Sequence, residues 1–207
     1  WALYRDLLQQ DGYEDGHVHF KEHYNDWREI IASFGLGERF ANTDVREQAK
    51  GYLPTTEFYN RIYGQKGWKA ITIRSLSIGQ GEILVTPLQL ANQAAAIANK
   101  GYYITPHFNR NDSMKSDIHT TLVDSIHFDV VHRGMERVMT NGTGRWYNIP
   151  ELQMCGKTGT VQNPHGEDHA LFIGFAPKDN PQIAVAVAVE NAGFGATWAC
   201  PIATLVM

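Results

Sequence analysis

Residues 152–189 constrain the fold more tightly than any other stretch of this chain. They contain three apolar runs, 152–161 (LQMCGKTGTV), 170–176 (ALFIGFA) and 183–189 (IAVAVAV), each bounded by Gly, Asn, Asp or Pro. Short runs of that kind, rich in β-branched and aromatic residues and flanked by breakers, read as strands. The five residues PKDNP between the second and third runs fit a hairpin loop, so those strands are expected to pair antiparallel. Residues 196–207 are mostly apolar and read as a helix that covers one face of the sheet. Helical patterns precede residue 152 and strands follow it, which predicts an α+β class.

The patterns upstream are coarser. Residues 20–34 alternate apolar and charged groups at helical period, and Gly35 and Gly37 follow as stop signals. Thr86 supplies an N-cap and Pro87 a first-turn proline to an Ala-rich helix over 88–99, ended by Gly101. Residues 102–105 are β-prone, and 109–120 read as a polar loop. Phe128, Val131, Met135 and Val138 share one helical face, and Asn141 to Gly144 close that helix. Residues 37–67, rich in Gly, Asn, Thr and Asp with a proline at 54, are expected to be mostly irregular. Apolar residues at 3, 4, 7 and 8 have amphipathic spacing, so the chain is expected to open inside a helix. Position 1 is Trp, and the 196–207 helix stops without a capping signal, so residues 1–207 read as one partial domain of a longer protein.

Composition narrows the functional classes. With 43% hydrophobic and 19% charged residues, a chain of this length suffices to bury roughly 70% of its unfolded surface as one domain. A net charge of -4 without a basic run argues against nucleic acid as a partner. The longest uninterrupted aliphatic stretch, 183–189, falls far short of the ~20 residues a membrane helix needs. Cys155 and Cys200 form neither a metal pair nor a disulfide framework by spacing. His165 and His169, with Glu167 and Asp168, have four-residue spacing, but Pro164 and Gly166 break the helix such a metal site requires. His17, His19 and His23 are read the same way, and no metal or cofactor is expected. Tyr52, Phe58, Tyr59, Tyr63 and Trp68 are explained as well by packing of a loop-rich region as by a partner surface.

The chemistry begins at Cys155-Gly-Lys-Thr-Gly-Thr160. A phosphate-binding loop needs Gly five residues before Gly156, where Glu151 stands, and a helix after Thr160, where none is patterned. The other mechanistic reading is a strand whose Lys157 ammonium and Thr158 and Thr160 hydroxyls line a pocket for an anion. Gly159 would then let a ligand backbone lie against the strand edge. An ordinary strand with a surface lysine is the bland alternative.

Surrounding segments weigh on this choice. Residues 77–91 (SIGQGEILVTPLQLA) with 96–99 (AIAN), then 134–138 (GMERV) with 142–144 (GTG), then 156–160 (GKTGT), then 168–177 (DHALFIGFAP) occur in that order. In order and spacing the sequence resembles the class B penicillin-binding proteins, and among them the cell-elongation type, from about residue 34 to 207. The resemblance implies the C-terminal part of a serine transpeptidase/β-lactamase-like domain, an antiparallel sheet packed with helices. It implies a peptidoglycan D,D-transpeptidase whose serine is acylated by a stem peptide ending in D-Ala-D-Ala and passes the acyl group to a neighbouring amine. It also implies β-lactam binding, a membrane glycan polymerase as partner, and the periplasmic face of a membrane-anchored protein as location. Lys157 would supply a cation near the substrate carboxylate and the proton-transfer groups. Thr158 and Thr160 would donate hydroxyl hydrogen bonds, and the Thr160 N–H would be an oxyanion-hole donor. Gly79-Gln-Gly81 is read as turn geometry.

The first two motifs of such enzymes, Ser-x-x-Lys and Ser-x-Asn, are not in this sequence. Its six serines, at 33, 75, 77, 113, 116 and 125, have no Lys three places on and no Asn two places on. By resemblance, the Ser-x-Asn turn belongs just upstream of Trp1. The alternative function is a non-enzymatic β-lactam or peptidoglycan sensor on the same fold. Sensors and β-lactamases are not expected to share the long segment from Gly79 to Asn99, which favours the transpeptidase.

Overall fold

The computed structural model describes residues 17–109 and 117–207, and the helix expected at the N-terminus lies outside them. The chain divides into two compact units, residues 1–39 with 49–85, and 40–48 with 86–207.

In the first unit, α1 (His17–Ala32) ends ahead of Gly35, whose φ of 84° suits a residue without a side chain. A second helix, α2 (Thr56–Tyr63), interrupts the stretch expected to be irregular. Pro54 and Thr55 look like breakers in the sequence, yet they form a helix start. The Thr55 hydroxyl accepts the Phe58 N–H at 3.2 Å, satisfying an otherwise orphaned donor. The two helices meet over an aromatic core of Tyr24, Trp27, Tyr59 and Trp68, joined by Ile73 and Leu76. Tyr59 and Trp68 are wholly buried, which stabilises the unit by roughly 1.5–3 kcal/mol for a large side chain. Their polar atoms are satisfied: Tyr59 donates to Glu82 at 2.7 Å, and the Trp68 indole to Asn60 at 2.9 Å. These aromatics are therefore core, while Tyr63 at the end of α2 is exposed.

The second unit begins with α3 (Pro87–Ala98), which has the expected start. The Gln89 N–H donates to the Thr86 hydroxyl at 3.1 Å, and the Thr86 N–H donates to the Gln89 side chain at 3.0 Å. β1 (Tyr102–Ile104) follows and pairs antiparallel with β2 (Ile118–Thr120), so the end of the expected polar loop is a strand. A three-residue strand has no readable period; its identity comes from its partner, with the Tyr103 ring stacked on His119 at 4.8 Å.

α4 (Phe128–Thr140) buries Phe128, His132, Met135 and Met139. The expected face is thus rotated, since Val131 is 41% exposed and Val138 is only partly buried. His132 is taken inside because its Nε2 hydrogen-bonds the Ile97 carbonyl at 2.7 Å, which offsets the loss of water.

The three predicted strands are β3 (Cys155–Val161), β4 (His169–Ala176) and β5 (Ile183–Val189), antiparallel in that order. Ala176 pairs with Ile183 across the hairpin. α5 (Ala199–Val206) starts three residues later than expected, after a turn over 194–198. On one face Ala170, Phe172 and Val185 pack with Met139 and with Ala199, Cys200 and Ala203 of α5. On the other, Cys155, Phe175 and Ala184 pack with Ala98 of α3 and Met135 of α4. The sheet is covered on both faces, which explains the unbroken apolar run of β5. Its valines face the α5 side, and Ala184 on the other face packs with Ala98 of α3, where a small side chain allows close approach of an Ala-rich helix.

Candidate functional site

Lys157, Thr158, Gly159 and Thr160 all lie on β3. This strand is at the end of its sheet: β4 occupies one edge, and among the described residues no strand occupies the other. The period of two sends Lys157 and Gly159 to one face and Thr158 and Thr160 to the other. A cation and two hydroxyls so divided converge on one anion only by reaching around the open edge. Lys157 is exposed, and its ammonium donates to the Thr158 carbonyl at 2.5 Å.

Two contacts on the threonine face were missed by sequence reasoning. The Thr158 hydroxyl lies 2.8 Å from that of Thr143, in the turn after α4. The Gly195 N–H donates to the Thr160 hydroxyl oxygen at 3.4 Å, and a Cβ on Gly195 would sit 2.2 Å from the Gly159 carbonyl oxygen. The only sequence signal for the first was Gly142-Thr-Gly144, read as a closing turn. Gly159 has a local reason as well, because a Cβ there would be 3.2 Å from that of Leu171 on β4.

The remaining candidates resolve into structure. Asp168 accepts the Asn163 N–H at 3.2 Å through its carboxylate and the Ala192 and Gly193 N–H groups through its carbonyl. His169 Nδ1 accepts the Asn191 N–H at 3.0 Å. These bonds tie the β3–β4 loop to the segment after β5. Among the described residues no group of three or more His, Cys, Asp or Glu is placed to hold a metal ion. Cys155 and Cys200 are free and buried, and burial pushes their thiols up to about 12 and about 11. Gly79 and Gly81 have φ of 75° and 77° in a turn, a geometric role. Among the described residues no helix is long and apolar enough to cross a membrane. A cavity of about 470 Å3 between Lys100, Asp129, His132 and Lys178 takes no residue from β3. Its lysines are already paired, Lys100 with Asp129 and Lys178 with Glu136, both at 2.8 Å.

Comparison with known proteins agrees with this arrangement. Residues 16–207 match the penicillin binding protein transpeptidase domain. The chain is 34% identical to the peptidoglycan D,D-transpeptidase MrdA of Acinetobacter baumannii, over 83% of this chain and 28% of that protein. Its identity to the MrdA of Haemophilus influenzae is 32%, over 86% of this chain and 31% of that protein. The chain thus spans under a third of the length of these curated relatives. Among solved structures, Pseudomonas aeruginosa PBP2 in complex with WCK 5153 aligns with a TM-score of 0.78 at 35% identity, covering 92% of this chain and 46% of that one. A chain from a peptidoglycan synthase complex, in a study of coordinated polymerization and crosslinking, aligns with a TM-score of 0.75 at 26% identity, over 99% of this chain and 35% of that one. With helices on both faces of an antiparallel sheet and Lys-Thr-Gly on its edge strand, the chain belongs to the penicillin-binding protein transpeptidase domain family, with relatives of the cell-elongation PBP2 type.

Proposed function

We propose that this chain is the Lys-Thr-Gly part of a peptidoglycan D,D-transpeptidase that cross-links the cell wall during elongation. The supporting observation is the place of β3 at the end of its sheet, with β4 on one edge and, among the described residues, no strand on the other, and with Lys157, Thr158 and Thr160 along it. An extended stem peptide, or a β-lactam mimicking its end, adds along that edge as a strand would. Lys157 and the two hydroxyls hold the terminal carboxylate, the Thr160 N–H donates to the developing oxyanion, and Gly159 leaves room for the ligand backbone. The nucleophile comes from a Ser-x-x-Lys motif outside these 207 residues. Its hydroxyl adds to the penultimate D-Ala carbonyl and expels the last D-Ala, and a neighbouring strand's amine then takes the acyl group and frees the serine. The whole protein is anchored at the outer face of the bacterial cytoplasmic membrane and works with a glycan polymerase, which fits the synthase complex among its structural neighbours.

Fluorescent penicillin tests this on the full-length protein. Stoichiometric covalent labelling is expected, and Lys157→Ala should slow it on the order of 10²-fold. A full-length protein that takes no label, or a Lys157→Ala variant labelled at the wild-type rate, overturns the reading.

A further inference from the structure

We infer that Thr143 is a positioning residue that sets the direction in which Thr158 offers its hydroxyl proton to an anionic ligand. The inference rests on the proposed carboxylate-binding role of Thr158. The two hydroxyl oxygens are 2.8 Å apart, and either can be the donor. A threonine hydroxyl has one proton and two lone pairs, and its proton rotates to suit its surroundings. A carboxylate only accepts. Once it takes the Thr158 proton, Thr158 can only accept from Thr143, so the bonds run one way from Thr143 through Thr158 to the ligand. Each bond in such a chain polarises the next, and a second hydroxyl held in place removes a rotor that binding would otherwise have to order.

The support under Thr143 is built for fixed placement. It follows α4 in a turn where the Asn141 N–H donates to the Arg137 carbonyl at 3.0 Å and the Gly144 N–H to the Val138 carbonyl at 2.9 Å. A Cβ on Gly142 would lie 2.8 Å from the Val138 Cα, and one on Gly144 would lie 2.6 Å from the Met139 Sδ. Glycines on either side therefore let the turn press onto α4, while Met139 of α4 lies 3.2 Å from where a Cβ on Gly156 of β3 would stand. The threonine is carried to the strand by two packed elements. It is itself exposed, so its hydroxyl adds little to folding stability.

The test uses the full-length protein and the dependence of penicillin acylation rate on penicillin concentration, which separates non-covalent binding from the chemical step. Thr143→Val should weaken the non-covalent step about three- to tenfold, the weight of one hydrogen bond, and leave the limiting acylation rate unchanged. Thr143→Ser should restore wild-type binding, because it keeps the hydroxyl. In a Thr158→Val background, Thr143→Val should have no further effect, because the bond it removes is already gone. Unchanged binding in Thr143→Val, a loss confined to the limiting rate, failure of Thr143→Ser to restore, or full additivity with Thr158→Val each overturns the inference. Absence of labelling in the wild type instead overturns the proposed function and removes the basis of the inference with it.

Discussion

Gly156 and Gly174 are register partners across β3 and β4, and the space they leave takes the ring of Phe172, with Met139 beside Gly156 and Met207 beside Gly174. A Cβ on Gly156 would be 2.2 Å from the Phe172 ring, and one on Gly174 would be 2.7 Å from the same ring. Phe172 is fully buried and also anchors the face that receives α5. Gly156→Ala should therefore destabilise the protein by about 1–3 kcal/mol through overpacking, read as a lower midpoint of urea unfolding. Small residues beside Lys157 thus have a packing reason independent of any ligand. Cys155, between Met154 and Gly156, is explained in the same way. Burial holds its pKa at about 12 and that of Cys200 at about 11, so both remain thiols at pH 8, and only the thiolate reacts readily. Iodoacetamide should leave both unmodified in the native protein and alkylate both after denaturation, as counted by mass spectrometry. Rapid native alkylation of either would show that its burial is not as described.

At the level of elements, the sequence was most legible where the signal is local. Thr86-Pro87 with Gln89 is a complete start signal for α3, and both reciprocal bonds form. Thr86→Ala should cost about 1 kcal/mol, measurable as a shift of the unfolding midpoint without a change in slope. The β4–β5 hairpin was equally legible, because a short polar loop between two apolar runs allows little else. β2 was not, since Ile118–Thr120 becomes a strand only through pairing with β1. α2 was hidden by its own cap, and the face of α4 was misplaced because His132 counts as polar until its bond to Ile97 is seen. Amide exchange should therefore be slow at Tyr59, whose N–H donates to the Thr55 carbonyl, in a stretch that the sequence alone reads as mostly irregular. The site divides similarly: the strand motif was readable, whereas Thr143 and Gly195 reach it only through tertiary packing. Asp44 shows the same dependence. Its carboxylate accepts the Phe108 and Asn109 N–H groups at 2.8 and 2.7 Å, which hold its pKa below the usual carboxylate value. A depressed folded pKa adds stability that is present above the ordinary carboxylate range and lost as pH falls through the folded value. Asp44→Asn should flatten the acid limb of the stability curve below about pH 4.

On the scale of the whole molecule, the sheet and its helices leave β3, with its Lys-Thr-Gly motif, as the end strand, but the 207 residues supply no activated nucleophile. Covalent catalysis by a serine needs a base within hydrogen-bond reach, which this family provides as a lysine three residues on. None of the six serines has that partner. The buried cysteines do not substitute, because their raised pKa values disfavour the thiolate. What the 207 residues carry is an exposed cation, two hydroxyls and a strand at the end of its sheet. An exposed ammonium attracts a carboxylate 4 Å away by only about 1 kcal/mol in water, and by about 4 kcal/mol at an effective dielectric of 20. The 207-residue chain on its own should therefore take up no covalent label from fluorescent penicillin after denaturing electrophoresis, and should bind it weakly before denaturation. A longer protein that contains the family's Ser-x-x-Lys motif, treated in parallel, should label to one adduct per molecule. A stoichiometric adduct on the 207-residue chain would reveal a nucleophile of another kind, and Lys157 could then no longer be assigned to a serine-based site.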